Sequence, residues 1–292
     1  MRAAIVLDYI QLTKPRILLL VALTGFVALL LEGNAGARPW WTAGVLFMIA
    51  LSGGAANSFN QFFERTIDAQ MERTRQRRPL PQGKISPTGA FVFSLSLSFI
   101  SVLSLAWMAN WLAALLALGT IFFYSCIYTL WLKPRTPYNI VIGGAAGAAA
   151  PLIAWGAVRG EIALPLILFL IVFIWTPPHF WALSLHFKKD YEKVKIPMLP
   201  LVRGDEETRR QILLYSLVLI PTTLLLVPFG GAGWIYLASA AFLGGIFLKR
   251  AVKLRHETDN RSAFSFFRYS IIYLFVLLLM LTLDYFFHFK VF

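Results

Sequence analysis

Cysteine is almost absent: Cys126 is the only one in 292 residues. A lone thiol excludes an internal disulfide and any cysteine cluster for zinc or iron–sulfur. Charge is scarce as well, at 14% of residues, where a soluble domain carries about a quarter. That leaves too little to keep the surface of a water-soluble globule wet, and the 58% hydrophobic content excludes disorder. Acids are scarcest, 14 against 27 lysines and arginines, for a net charge of +13. In a chain of mean hydropathy +0.68, this surplus reads as membrane topology and anionic lipid headgroups, with no nucleic-acid partner.

Long apolar runs are what the chain does have. At about 20 residues per crossing, they predict nine spans, at about 17–31, 41–62, 88–107, 110–132, 138–158, 162–186, 212–229, 234–248 and 266–287. No small-residue cleavage site follows the first run, so no cleavable signal peptide is expected. Of the 27 basic residues, 24 fall on one side of this alternation, leaving Arg38, Arg159 and Lys290 opposite. The positive-inside rule makes that side cytoplasmic, with the N-terminus inside and the C-terminus outside. Trp40, Trp41, Trp107, Trp111 and Trp234 then lie at the outer interface, where indole rings belong. The expected fold is an all-α polytopic bundle of about nine helices, a single domain over 1–292 in the cell membrane. Eleven of the 14 acids join the basic residues on the cytoplasmic side, and Asp284 is the main acid inside a span. A carrier would spread ionisable groups through the membrane depth and show an inverted repeat. Here the chemistry gathers at the cytoplasmic mouth, in loops at about 64–87 and 187–211.

The second span runs out through Asn60, Glu64 and Asp68. Spaced four apart, they drift only about 80° around a helix while climbing about 12 Å, so they share a face, and Glu72 continues the spacing. Stacked carboxylates repel unless a cation bridges them. Oxygen ligands without His or Cys select a hard cation, Mg²⁺ where phosphate oxygens complete the shell. The plainer alternative is a solvated helix end whose acids pair with Arg65, Arg73 and Arg77. The amide of Asn60 argues against it, because it has no role in surface charge pairing. Arg73, Arg77, Arg78 and Lys84 follow, a set of cations suited to a polyanion such as diphosphate.

The sixth span ends in Trp175-Thr-Pro177-Pro178-His179-Phe-Trp181 and then His186, Lys188, Lys189 and Asp190. Two prolines inside an apolar helix free backbone carbonyls and kink it. His179 and His186, about two turns apart, share a face. Between the two constellations lie Tyr124, Tyr128, Lys133, Arg135, Asn139 and the small-residue run from Gly143 to Gly147, which permits close packing or room for a lipid tail.

These motifs together resemble the UbiA superfamily of intramembrane prenyltransferases, and within it the branch that acts on heme. The resemblance runs in order through Leu12-Thr-Lys-Pro-Arg16, Asn60…Glu64…Asp68…Met71-Glu-Arg-Thr74 and Arg78-Pro-Leu-Pro81. It continues through Lys133…Arg135-Thr136…Asn139-Ile-Val-Ile-Gly-Gly144, Trp175-Thr-Pro-Pro-His-Phe-Trp181 and Asp190-Tyr191…Pro197-Met-Leu-Pro200. The carboxylate ladder indicates only the superfamily; the last two strings resemble the heme branch. A departure stands at the second site, where the superfamily usually has two acids four apart and Asp190 is followed by Val194.

The resemblance implies transfer of a farnesyl group from farnesyl diphosphate to a vinyl group of protoheme IX, with water added and diphosphate released. It also implies Mg²⁺ on Asn60, Glu64 and Asp68, with Asp190 as a further ligand. Lys133 and Arg135 would assist ionisation, and Tyr124 and Tyr128 would shelter the allylic cation. Arg73, Arg77, Arg78, Lys84, Asn139 and Lys189 would hold substrate, and His179 or His186 would contact heme. A downstream heme-modifying membrane enzyme is the expected recipient of the product. A sibling enzyme acting on another aromatic acceptor would share the ladder without needing the histidines.

Overall fold

A computed structural model describes residues 2–158, 162–257 and 259–287. Arg159, Lys290 and the C-terminal Phe292, which entered the topology reading, lie outside the described residues. The order is α1 (Arg2–Leu12), α2 (Pro15–Leu31), α3 (Asn34–Ala37), α4 (Pro39–Phe63), α5 (Arg65–Gln70), α6 (Glu72–Arg75), α7 (Pro87–Met108) and α8 (Trp111–Phe122). A π-helix (Phe123–Leu132) continues α8. Then come α9 (Asn139–Ala148), α10 (Ala150–Val158), α11 (Ala163–His186), α12 (Lys188–Lys193), α13 (Leu199–Val202), α14 (Gly204–Leu224), α15 (Trp234–His256) and α16 (Arg261–Phe287).

Local chemistry sets several boundaries. Proline opens α2, α4 and α7, where its missing N–H costs nothing. Ser86 and Asn110 cap α7 and α8 by accepting the N–H of Gly89 and Ala113. Pro177 and Pro178 sit within α11, which nonetheless runs unbroken to His186.

Among the described residues, seven helices are long and apolar enough to cross a membrane: α4, α7, α8 with the π-helix, α9 with α10, α11, α15 and α16. An eighth is counted if α1 and α2, bent by 51°, form one broken span. The remaining expected span is the later part of α14, whose first turn carries Asp205, Glu206 and Glu207. The chain is a multi-pass membrane protein with an all-helical fold. Its inner ring packs α2 on α4, α10 and α16, and α11 on α9, α14 and α16, while α7 backs α4 and α15 backs α14 and α16. Large side chains such as Trp181, Tyr236, Phe247 and Phe266 fill the interior, whereas Phe99, Phe122 and Phe242 face outward as lipid-facing residues do.

The two ends differ in chemistry. At one, Trp40, Trp107 and Trp111 are exposed, and Trp41 Nε1 donates to Met108 O at 2.8 Å. Asp284 is no ion-pathway group, because its carboxylate accepts the backbone N–H of Gly233, of Ile235 (3.0 Å) and of Tyr236 (3.1 Å). It caps the start of α15. The other end holds the polar side chains.

Candidate active site

α4 delivers Asn60, buried at 2% exposure, and stops at Phe63; Glu64 is the junction to α5, which carries Asp68. The ladder does not extend to Glu72. Met71 is extended (φ −86°, ψ 129°), so the stripe breaks and Glu72 starts α6 facing outward.

Three basic groups converge on the three oxygen-bearing side chains. Lys14 Nζ donates to Asn60 Oδ1 at 2.9 Å. Lys133 Nζ donates to Glu64 Oε1, and Arg78 Nη1 to Asp68 Oδ2, with Glu64 Oε2 3.8 Å away. Both carboxylates are buried, at 4% and 2% exposure. Burial pushes the Glu64 carboxyl up, but the charges of Lys133 and Arg78 outweigh it and hold the group below the ordinary range. For Asp68, burial, aided by the neighbouring charge of Glu64, outweighs Arg78 and raises the carboxyl. One guanidinium nitrogen near both acids marks a point where a single cation serves the two. Among the described residues no three His, Cys, Asp or Glu converge as a metal site. The oxygen set here is two carboxylates and one amide, which fits a hard ion that keeps water and takes its remaining ligands from phosphate.

The acids do not use the arginines a solvated helix end would supply. Arg65 donates to Phe62 O and lies 4.8 Å over the Phe62 ring. Arg73 lies over Phe187 and Tyr191, and Arg77 is exposed.

The π-helix forms the opposite wall. Its wide turn lets the Thr129 hydroxyl donate to Tyr124 O at 2.7 Å, and Thr129 Oγ1 in turn accepts Asn60 Nδ2 at 3.1 Å. The amide of Asn60 is thereby pinned with its oxygen toward Lys14. Tyr124 and Tyr128 stack at 5.3 Å. A Cβ on Gly143 would collide with the Tyr128 ring, so that glycine makes room for the tyrosine rather than for a lipid tail. Thr176 fills the space over Gly144 in the same way.

Other expected residues lie elsewhere. Arg135 is exposed and caps the carbonyls of Leu130 and Trp131. Lys84 is exposed, 3.9 Å from Asp8. Asn139 is fully buried at the start of α9; it donates to Thr136 O, and its Oδ1 has no partner among the described residues. Asp190 is tied to the neighbouring loop rather than the ladder, accepting the backbone N–H of Glu72 (3.4 Å) and Arg73 (3.1 Å). The two histidines differ. His179 is buried, and its Nδ1 lies 2.7 Å from Ser270 Oγ. The Ser270 proton goes to Phe267 O, so Nδ1 is the donor. His186 is exposed on a cavity of about 440 Å³ whose lining includes Arg73, Lys189 and Asp190.

Sequence reasoning missed two members of the site. Lys14 reads as a topology signal, yet the α1–α2 break, with Lys14 itself left-handed (φ 55°), turns it inward. The only hint of Thr129 is a hydroxyl in an apolar run.

Known proteins resemble this chain in sequence and in fold. A model of the UbiA prenyltransferase family matches residues 18–282. The chain is 46% identical over 282 residues to a protoheme IX farnesyltransferase of Parvibaculum lavamentivorans, covering 95% of this chain and 88% of that one. It is 48% identical to that of Novosphingobium aromaticivorans, with 95% and 92% covered. Among solved structures, one of digeranylgeranylglyceryl phosphate synthase superposes with a TM-score of 0.79 at 19% identity, covering 97% and 99% of the two chains. A UbiA homologue from Archaeoglobus fulgidus, bound to DMAPP and Mg²⁺, superposes at 0.61 with 15% identity, covering 94% and 99%.

Proposed function

The chain belongs to the UbiA prenyltransferase family, and we propose that it transfers the farnesyl group of farnesyl diphosphate to a vinyl group of protoheme IX. Diphosphate leaves as the farnesyl C–O bond breaks, the vinyl group bonds to the freed carbon, and water captures the resulting cation with loss of a proton, giving heme O. The observation that carries this reading is the convergence of Lys14, Arg78 and Lys133 on Asn60, Glu64 and Asp68 beside the stacked tyrosines. The near full-length likeness to heme farnesyltransferases supports the choice of acceptor.

An allylic diphosphate ionises when the charge on its leaving group is neutralised. Asn60, Glu64 and Asp68 would hold a Mg²⁺ ion, which when bound supplies part of that neutralisation. Lys14, Arg78 and Lys133 supply the rest from fixed positions, without reorganisation of solvent. Tyr124 and Tyr128 present ring faces to positive charge and, with Thr129 and Asn60 locked by hydrogen bonds, keep bulk water from the reacting carbon. Asp190 holds the Arg73 loop in place. The active site faces the cytoplasm, and the chain crosses the cell membrane nine times with its N-terminus inside. The hydrophobic product passes to a further heme-modifying enzyme in the same membrane.

Membranes carrying the chain, given heme B and farnesyl diphosphate, are expected to yield a later-eluting heme on reverse-phase chromatography, and excess chelator to stop it. Unchanged heme in the presence of both substrates and Mg²⁺ would remove the reading.

A further inference from the structure

Five flat rings form a continuous stack along α11 and α16. Trp175 and His179 lie 4.2 Å apart, His179 and Phe267 4.5 Å, Phe267 and Phe264 5.7 Å, and Phe264 and His186 4.5 Å. Each pair is within 29° of parallel. The stack begins at buried Trp175, held by a 2.8 Å bond to Ser270 O, and ends at exposed His186 on the wall of the 440 Å³ cavity. Offset stacking is one of the arrangements aromatic rings favour, so an extended stack opening on a cavity is a surface suited to another flat ring.

The cavity lining sets Arg73, Lys188 and Lys189 against Glu72 and Asp190, whose carboxylate accepts the backbone N–H of Glu72 and Arg73, and two of these cations have no ion-pair partner among the described residues. Arg73 lies 5.4 Å over the Phe187 ring and 5.8 Å over that of Tyr191, its Nη2 donates to the Tyr191 hydroxyl at 3.4 Å, and its Nε is buried with no hydrogen-bond partner among the described residues. No carboxylate of the described residues pairs with Lys189, whereas neighbouring Lys188 is committed to Asp205 at 2.7 Å. Flat rings flanked by two cations without an ion-pair partner match a planar macrocycle bearing carboxylates along one edge. A prenyl diphosphate has no flat ring, and its charge is met by Lys14, Arg78 and Lys133.

We infer that this cavity is the carboxylate dock of the acceptor: the propionates of protoheme IX bind Arg73 and Lys189, and its ring continues the stack from His186. The inference rests on the proposed function and names the subsite through which it selects heme. Propionates and vinyl groups occupy opposite edges of the porphyrin, so acids held at the rim direct a vinyl group inward.

Absorbance titration of the purified protein with heme and with heme dimethyl ester, whose acids are masked, tests the dock. The parent should bind heme about tenfold more tightly than the ester, the weight of one charged hydrogen bond. Arg73→Gln and Lys189→Gln should each weaken heme binding and leave ester binding unchanged. The double variant should bring the ratio close to one. Binding of a non-reactive farnesyl diphosphate analogue confirms that the variants are folded, and exposed Lys189 is a position where substitution is tolerated. Equal binding of heme and ester by the parent, or equal loss of both in the variants, overturns the dock while leaving heme farnesylation intact. A parent that neither binds nor farnesylates heme overturns both.

Discussion

Glu64 and Asp68 are two carboxylates kept apart in character by their surroundings: cations depress one, and burial raises the other. Neither has a spare role as a surface charge, since both are buried and paired. Glu64→Gln and Asp68→Asn keep shape and remove charge, so each should lower heme conversion by about 10² or more while the protein still inserts. Lys84→Ala, at an exposed and long ion pair, should change conversion less than about threefold. Chromatographic assay of membranes with matched protein amounts would show both, and activity retained in Asp68→Asn would remove that carboxylate from the chemistry. The spacing of Asn60, Glu64 and Asp68 was legible in the sequence because four residues is a helical repeat. Their partners were not. Lys14 reaches Asn60 across 46 residues and Lys133 reaches Glu64 across 69, through a left-handed break and a π-helix that no periodicity announces.

At the scale of elements, a single buried acid ties two helices. Asp284, near the end of α16, accepts three backbone N–H groups where α15 begins. In the sequence it stands out only as an acid within a span, because its partners lie 48 to 51 residues earlier. A capping acceptor contributes about 1 kcal/mol, and leaving buried donors unmet adds about 1–3 kcal/mol more. Asp284→Ala should therefore lower the unfolding temperature in detergent clearly, and Asp284→Asn, which keeps one acceptor oxygen, should lower it less. Heme conversion below the transition should stay near the parent's, because Asp284 contributes nothing to the mouth. Loss of conversion without loss of stability would instead make this acid part of the reaction. Where periodicity carried the sequence reading it succeeded, as in the apolar runs that became α4, α7, α11 and α16. It failed where a break decides geometry: at Met71, which diverts Glu72 from the ladder, and along Phe123–Leu132, where the wider turn sets Thr129 against Asn60.

For the whole molecule, the decisive asymmetry is that 24 of 27 basic residues belong to one side of the expected alternation. Moving that many cations through the hydrocarbon during insertion is far costlier than moving the three on the other side, which is the physical ground for the orientation proposed above. The polar ends of α4, the π-helix, α11 and α12 gather at the same end, with Trp40, Trp107 and Trp111 exposed at the opposite one. Orientation thus decides which compartment supplies both substrates. With Cys126→Ser as background, single cysteines at Lys84 and at Trp107 bracket α7, one at each end. An impermeant maleimide should reach Trp107→Cys in intact cells and Lys84→Cys only in inverted vesicles. Reversed labelling would put the active site outside and contradict the positive-inside argument. Labelling of both from one side would mean that α7 does not cross, despite an 18-residue window of mean hydropathy 2.0 within it, and the span count would then have to be rebuilt from the loops.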